Sequence, residues 1–428
     1  MSGSPQRQTG PGADQELHLT NTMTRSKERF RPREPGVVRL FTCGPSIYRR
    51  QHLGNYRTYL YEDVLHRYLQ YLGYRVERLL NYTDVEDKAL EEAQEGGVSL
   101  EEVTGPVAQR FRQECGLLGI WLPEHVARAS TSVEQAARLI QGLLDQGVAY
   151  WHRGDVFYDP LKFPGFGRLY GLDMTRWPRK KRRFRRDTYP GQRWNLGDFI
   201  LWHRAREGDP PEARWQTALG EGRPAWNVQD AAMITQHLGF EIDLACGGVD
   251  NLYRHHDYTI AVVEAVSGSR FCPFWLHGEH LLVDGAKMSK SRGNVVYLEE
   301  PLAEGRAPED VRLHLLSTHY RQPLDLTREG LDRDAARRSE LLRRVAELGL
   351  AQASGSDAPE EMGALERRFR ERLNDDLDVA GAIAAVTEEV ERLHRRREAL
   401  SPGERAGARQ GLRAMDSVLR VLCPGEGR

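Results

Sequence analysis

Two short strings carry side chains that could handle the phosphates of a nucleotide. The first, HLGN at His52–Asn55, places an imidazole and a small-residue turn at the start of a predicted helix. Helix N-termini offer unpaired N–H donors and the positive end of the helix dipole, so this turn can receive a triphosphate. The second, KMSK at Lys287–Lys290, places two lysines on a glycine-flanked loop, which suits stabilisation of a leaving pyrophosphate. Together the two strings predict a site for ATP.

The elements around HLGN follow a βαβ pattern. Val37–Gly44 is a short apolar run ended by glycine, which predicts a buried strand. Thr58–Tyr74 has apolar residues at helical spacing, with Gly73 as a plausible C-terminal cap. Residues 75–88 then predict a second strand that leads into a polar loop. Because ligands bind at the carboxyl ends of parallel strands, the HLGN turn falls where a ligand is expected.

The rest of the chain predicts an α/β protein with added parts. Residues 100–150 have helical spacing, and 240–268 resume the order strand, glycine turn and helix. From about Pro323 the composition shifts to Ala, Leu, Arg and Glu at helical spacing, which predicts a helical bundle. We therefore expect a disordered tail (1–16), a Rossmann-like parallel-sheet catalytic domain (17–322) with an insertion at about 120–215, and a C-terminal α-helical bundle (323–428).

The insertion contains a basic run at 179–186, RKKRRFRR. Lysine and arginine contacts are what phosphate binding in nucleic acids needs, so this run could contact an RNA. The alternative is a solvated charged loop, which is the usual role of a charge run. The sequence leaves both interpretations open.

Bulk composition excludes several classes of protein. The 428 residues suffice for two to three domains, and the formal net charge of −1 does not indicate a nucleic-acid binder. Five cysteines without CxxC spacing predict neither a disulfide framework nor a zinc finger. The polar N-terminus predicts no secretory signal, and no long apolar stretch predicts a membrane span. A reducing, cytoplasmic setting is the expectation.

Seven strings resemble, in order, those of cysteinyl-tRNA synthetase, a class I aminoacyl-tRNA synthetase with HIGH-type and KMSKS-type signatures. They cover about residues 17–422: LHLTNTMTRSKERFRPREPGVVRLFTCGPSIY, NYTDVEDK, FPGFGRLYG, GDFILWH, GRPAWNVQDAAM, WLHGEHLLVDGAKMSKSRGN and LNDDLDVAGAIAAV. A related family is the mycothiol cysteine ligase, which joins cysteine to an aminoglycoside through the same adenylate. Both resemblances imply a Rossmann-like core, a connective insertion and a C-terminal helical domain.

The resemblance implies a role for each signature residue. His52, Lys287 and Lys290 would be catalytic, and magnesium would accompany ATP. Asp250, in GGVD, matches an acidic position near the adenosine ribose. The alternative for His52 is a helix cap. The implied ATP-binding set is Gly44, His52, Gly54, Asn55, Asp250, Lys287, Ser289 and Lys290.

The implied amino-acid pocket departs from the family pattern. The set is Cys43, Trp226, Asn227, Asp230 and His255. In the family a zinc ion grips the substrate thiolate through Cys, Cys, His and Glu. Here Cys43 and His255 match, Asp230 stands at the second cysteine, and Thr259 stands at the fourth position. Three ligands can still form a catalytic zinc site; alternatively, Cys43 is a small buried residue and His255 a satisfied polar group.

Three functions stay open. The first is amino-acid activation and transfer to tRNA, of the cysteine–tRNA ligase type. The second is an amide ligase that passes an amino acid to a small amine, favoured by Thr259 and by the apparent lack of the synthetase's anticodon-contacting segment. The third is a non-catalytic paralogue that binds nucleotide or RNA. The altered pocket beside intact signatures suggests a changed amino-acid specificity.

Overall fold

The computed structural model describes residues 16–123, 126–176, 197–288, 292–350 and 360–422. Its strands are β1 (His18–Asn21), β2 (Ser26–Arg29), β3 (Val37–Thr42), β4 (Arg75–Tyr82), β5 (Ala127–Arg128), β6 (Ala149–His152), β7 (Asp155–Tyr158), β8 (Phe199–Arg204), β9 (Trp215–Thr217), β10 (Gly220–Pro224), β11 (Leu244–Gly248), β12 (Phe274–Gly278), β13 (Leu281–Val283), β14 (Ala286–Lys287) and β15 (Leu324–Leu326).

Its helices are α1 (Leu53–Tyr71), α2 (Asp87–Gly96), α3 (Leu100–Leu117), α4 (Val133–Asp145), α5 (Trp226–His237), α6 (Asp257–Ser267), α7 (Glu299–Ala303), α8 (Pro308–Leu316), α9 (Arg328–Glu347), α10 (Glu360–Asn374), α11 (Val379–Arg395) and α12 (Pro402–Leu419). Residues 1–15, the basic run 179–186, Ser289 and Lys290 lie outside the described residues. The predictions made for these segments therefore stay predictions.

A five-stranded sheet in the order β12-β11-β3-β4-β5 forms the centre of the molecule. All its pairings are parallel. Strand β3 is central, since its Leu40 pairs with Leu244 of β11 on one side and with Arg78 of β4 on the other. Parallel strands covered on both faces form near-continuous apolar runs, and β3 is buried over most of its length. The sheet order reverses at β3, because the chain adds β4 and β5 on one side and β11 and β12 on the other.

Helix α1 begins at the HLGN turn, where the sequence placed the start of a predicted helix, and five residues before the apolar spacing starts at Thr58. Its first turn contains Gly54 and Asn55, which the apolar spacing could not indicate, and His52 is the N-cap residue. The helix ends where the sequence predicted, because Gly73 adopts a φ of +91° and its N–H bonds to the Gln70 carbonyl. The earlier start places the HLGN turn directly at the helix N-terminus.

A second, antiparallel sheet in the order β6-β7-β8-β10-β9 lies between β5 and α5 in the sequence. It falls largely inside the predicted insertion and continues to Pro224. The start of the predicted insertion belongs to the central sheet instead, because Ala127–Arg128 pairs in parallel with Asn81–Tyr82. The stretch 118–132, expected to be helical, holds this strand and a 3-10 turn.

The C-terminal part is helical from α9 onward, but its first element is a strand. Leu324–Leu326 (β15) pairs in parallel with β13, so the predicted bundle is joined to the catalytic part by a sheet. A buried arginine adds a second link: Arg312 donates hydrogen bonds to the Leu118 and Leu419 carbonyls at 2.9 and 2.7 Å and to the Asp63 carboxylate at 2.8 Å. None of the described helices combines the length and apolar content needed to cross a membrane.

We expect Arg312→Met to destabilise the protein by about 3 kcal/mol or more, the scale for breaking a buried, hydrogen-bonded ion pair. The substitution leaves two backbone carbonyls and a buried carboxylate without the guanidinium. Urea denaturation followed by circular dichroism measures the shift. Arg328→Met is the matched control, because the Arg328 side chain is 75% exposed and its pairing with Glu304 should contribute less than about 1 kcal/mol. Equal midpoints for the two variants would contradict the proposed link.

Candidate active site

A cavity of about 430 Å³ opens at the carboxyl ends of β3 and β11, where the sheet order reverses. This is the position at which open α/β sheets bind ligands. Nine of the predicted site residues line it: Cys43, Gly44, His52, Gly54, Asn55, Asp230, Asp250, His255 and Lys287. The fold thus brings together residues from four distant segments.

Gly44 shows why the turn after β3 needs a glycine. A Cβ at this position would lie 1.8 Å from the Asn81 carbonyl oxygen, a distance too short for any side chain. The Gly44 N–H donates to the Asn81 side-chain oxygen at 2.8 Å. The close approach of the two chain segments leaves the backbone of this turn at the cavity wall.

The HLGN turn is built as a helix N-terminus that faces the cavity. The His52 N–H donates to the Asn55 side-chain oxygen at 3.1 Å, so Asn55 closes the first turn. A Cβ on Gly54 would lie 3.0 Å from two atoms of the His52 imidazole, so the glycine leaves room for that ring. His52 is thus the N-cap residue of α1 and also lines the cavity, and its role toward ATP stays a prediction.

At the other side of the cavity, Lys287 contacts Asp250, which follows β11, and His280, which follows β12. Its Nζ lies 3.2 Å from Asp250 Oδ1 and 3.2 Å from His280 Nε2. His280 Nε2 also lies 3.5 Å from Asp250 Oδ1. Lys287 and Asp250 are largely exposed, with side-chain exposures of 54% and 69%. A cationic group and a carboxylate thus stand at the cavity mouth, accessible to a ligand.

The deeper part of the cavity holds Cys43, Asp230 and His255. Asp230 is 4% exposed and accepts a hydrogen bond from the Asn81 amide at 2.9 Å. The distance from its second oxygen to His255 Nδ1 is 3.4 Å. Trp226, the first residue of α5, packs against the His255 ring with centroids 5.0 Å apart. This corner is therefore a polar pocket with one aromatic wall behind the imidazole.

Asn227 does not join the predicted amino-acid pocket. Its side-chain amide donates to the Ile200 carbonyl at 2.8 Å, and the residue is buried against β8. The residue is adjacent in sequence to Trp226 but faces another way, since neighbouring helix positions point about 100° apart.

The predicted zinc ligands do not form a metal-binding group. Among the described residues, no three His, Cys, Asp or Glu side chains are placed to hold a metal ion. The Thr259 hydroxyl, at the fourth position, donates to the His255 carbonyl at 2.9 Å and so points along its own helix. Burial raises the pKa of the Cys43 thiol well above its usual range, and the Asp230 carboxylate raises it further. Because the described side chains form no such metal-binding group, the residues present do not fit a zinc site.

Three site residues escaped the sequence analysis: Asn81, Asn251 and His280. Asn81 contacts both Gly44 and Asp230, and the Asn251 amide donates to the Cys43 sulfur at 3.4 Å. His280 contacts Lys287 and Asp250. A usable signal existed for His280, which precedes Lys287 by one hairpin (β13–β14) within the same matched string. Asn81 also lies in a matched string, NYTDVEDK, whereas Asn251 lies in none of them, and the contacts of both asparagines depend on neighbours from other segments.

Comparison with known proteins identifies the family of the chain. A family model described as the tRNA synthetases class I (C) catalytic domain matches residues 29–336. The cysteine–tRNA ligase of Chlamydia felis is 38% identical over 377 residues, covering 87% of this chain and 78% of that protein. The cysteine–tRNA ligase of Halorhodospira halophila is 36% identical over 407 residues, covering 95% and 85%.

Solved structures agree on the fold. The Mycobacterium tuberculosis methionyl-tRNA synthetase in complex with methionyl-adenylate superposes with a TM-score of 0.62 at 15% identity, covering 90% of each chain. A LeuRS ternary complex from Agrobacterium radiobacter K84 gives 0.64 at 13% identity, covering 92% of this chain and 85% of that one. The molecule therefore has the class I aminoacyl-tRNA synthetase fold, which confirms the predicted α/β architecture. Within that class, the chain belongs to the cysteine–tRNA ligase family.

We expect Gly44→Ala to abolish the native arrangement of the turn, because its Cβ would collide with the backbone oxygen of Asn81. The expected destabilisation is about 3 kcal/mol or more, since a backbone clash forces the two strand ends apart. Urea denaturation measures it. Gly116→Ala, in the helical residues of α3 with open space around the added Cβ, is the control and should be neutral or stabilising. Similar losses in both variants would show that the close approach is not the cause.

Proposed function

We propose that the protein activates an amino acid with ATP as the aminoacyl adenylate and transfers it to tRNA. The observation that carries the proposal is one cavity holding both signature segments, with His52, Gly54 and Asn55 on one side and Lys287 on the other. The relatives are named for cysteine and tRNA, which favours tRNA as acceptor over a small amine. The presence of both signature segments in one cavity supports a catalytic role over a non-catalytic one.

In the first step, an oxygen of the amino-acid carboxylate attacks the α-phosphorus of ATP. A new O–P bond forms while the bond to pyrophosphate breaks, and negative charge grows on the leaving oxygens. The N-terminus of α1 and the His52 side chain would stabilise the phosphates at one side. Lys287 would do so at the other, with Lys290 expected to join it, and magnesium would accompany the nucleotide.

Asp250 would bind the ribose, since a carboxylate accepts hydrogen bonds from the two ribose hydroxyls. Its contact with Lys287 at 3.2 Å supports this role, because a ribose held at Asp250 brings the phosphates close to the lysine. In the second step, a hydroxyl at the tRNA terminus would attack the acyl carbon and release AMP. We propose that residues of the insertion and of the bundle at 323–428 contact the tRNA.

The test is ATP–pyrophosphate exchange with the purified full chain, followed by charging of a tRNA mixture. Exchange that depends on an added amino acid, without tRNA, is the result expected for adenylate formation. Accumulation of aminoacylated tRNA is the result expected for the acceptor. Binding of ATP with no exchange for any amino acid, with or without tRNA, would contradict the activity.

We expect Lys287→Ala to lower the exchange rate about a hundredfold, the scale for losing one preorganised group that stabilises transition-state charge. The rate should fall more than the affinity for ATP, because Lys287 would act mainly on the leaving pyrophosphate. Steady-state exchange at varied ATP concentration separates the two effects. Lys162→Ala is the control, because Lys162 is exposed in the region of the antiparallel sheet, away from the cavity. Near-normal exchange in Lys287→Ala would refute the role.

A further inference from the structure

We propose that Asp230 recognises the amino-acid side chain directly, as a hydrogen-bond acceptor, without a metal ion. The pocket then takes small amino acids whose side chain ends in a hydroxyl or an ammonium group, and it no longer selects for a thiolate. The inference rests on the proposed function, since it concerns the amino-acid part of the same cavity. It starts from the disagreement between the zinc set expected for the family and the contacts found here.

Asp230 has acceptor capacity to spare. An ionised carboxylate has two oxygens and about four lone-pair sites. Only two contacts are formed with protein groups in the described residues, from the Asn81 amide at 2.9 Å and from His255 Nδ1 at 3.4 Å. The residue lines the cavity while 4% exposed, so water satisfies little of the remainder. A donor on the ligand side chain would fill this capacity.

The charge balance of the cavity points the same way. In the described part of the chain, His255 is the basic side chain in contact with Asp230, and no lysine or arginine pairs with this carboxylate. Three lysines and arginines among the described residues line the cavity, and each has another partner: Arg50 pairs with Glu114 at 2.8 Å, Lys287 pairs with Asp250 at 3.2 Å, and Arg49 lies over the Tyr48 ring, 5.0 Å from its centroid. A carboxylate removed from water needs donors, and a charged or strongly polar ligand group meets that need best.

The side chains around Asp230 form hydrogen bonds within the protein that do not suit metal coordination. The Asn251 amide donates to the Cys43 sulfur at 3.4 Å, and the Thr259 hydroxyl donates to the His255 carbonyl at 2.9 Å. His255 turns Nδ1 toward Asp230. In addition, a carboxylate in place of a thiolate is a poorer ligand for a soft site. Asp230 is then the group of this corner that can accept a hydrogen bond from a protic side chain.

The expected order of substrates follows from donor strength. Ammonium and hydroxyl groups donate stronger hydrogen bonds than a thiol, which is a weak donor. An analogue that lacks the donor leaves Asp230 unpaired, and sites of this kind reject such analogues strongly, by up to about ten-thousandfold. We therefore expect a higher ATP–pyrophosphate exchange rate with 2,3-diaminopropionate and serine than with cysteine. All three should give higher rates than the isosteric 2-aminobutyrate and alanine. The rate with serine should exceed the rate with alanine by about a hundredfold or more.

The experiment is ATP–pyrophosphate exchange with these five amino acids, in the presence and absence of a zinc chelator, with zinc measured on the same sample. The expected result is exchange led by the donor-bearing side chains, unchanged by the chelator, with zinc well below one equivalent. Exchange with cysteine alone that the chelator abolishes, together with stoichiometric zinc, would overturn the proposal.

Variants of Asp230 supply a readout that does not depend on total activity. Asp230→Ala should bring the serine-to-alanine ratio close to one, and Asp230→Asn should remove the preference for the ammonium side chain while keeping serine. Thr235→Val lies on the same helix outside the cavity, and it should keep the wild-type ratios. An unchanged serine-to-alanine ratio in Asp230→Ala would refute the proposed recognition.

Failure of the proposed function gives a different result. If no amino acid supports exchange, the activity is wrong, and the specificity is then decided by equilibrium binding. The probes are the sulfamoyl-adenosine analogues of seryl and alanyl adenylate, titrated by calorimetry into the wild-type protein and into Asp230→Ala. Tighter binding of the seryl analogue that is lost in the variant supports recognition by Asp230, and equal binding of the two analogues by the wild type overturns it.

Discussion

The carboxamide of Asn81 is the contact on which both halves of the site depend. Its oxygen accepts from the Gly44 N–H at 2.8 Å, and its nitrogen donates to Asp230 at 2.9 Å. It lies at the end of β4 with 1% exposure, so both bonds form away from water, where an unpaired polar group is costly. One buried side chain thus links the turn proposed to bind phosphate to the pocket proposed to bind the amino acid.

This contact works because the sheet order reverses next to it. The parallel strands β3 and β11 end together, and the segments that follow them diverge to opposite sides of the sheet. The divergence leaves a cavity that no single segment lines, bordered by the start of α1, by α5 and by the Lys287 hairpin. The residues proposed to bind phosphate and those proposed to recognise the amino-acid side chain therefore line different parts of one cavity.

Several elements could be predicted from local patterns. The strand at Val37, the cap at Gly73 and the strand that follows were all found, because buried parallel strands and glycine-ended helices leave strong local signals. The HLGN string located the start of α1, which the apolar spacing alone did not, and the strand β15 was not predicted because it has only three residues. Nine predicted site residues share the cavity, whereas Asn227 faces the antiparallel sheet.

The sequence by itself determined the chemistry available: which residues could bind phosphate, which family the chain resembles, and that the expected zinc ligands are altered at Asp230 and Thr259. Residue identity and order suffice for these conclusions. Only the tertiary structure decided what each altered residue does. Thr259 bonds to its own helix, whereas Asp230 meets Asn81 and His255 from distant segments. Hydrogen-bond partners depend on distances between segments, and those distances exist only once the chain has folded.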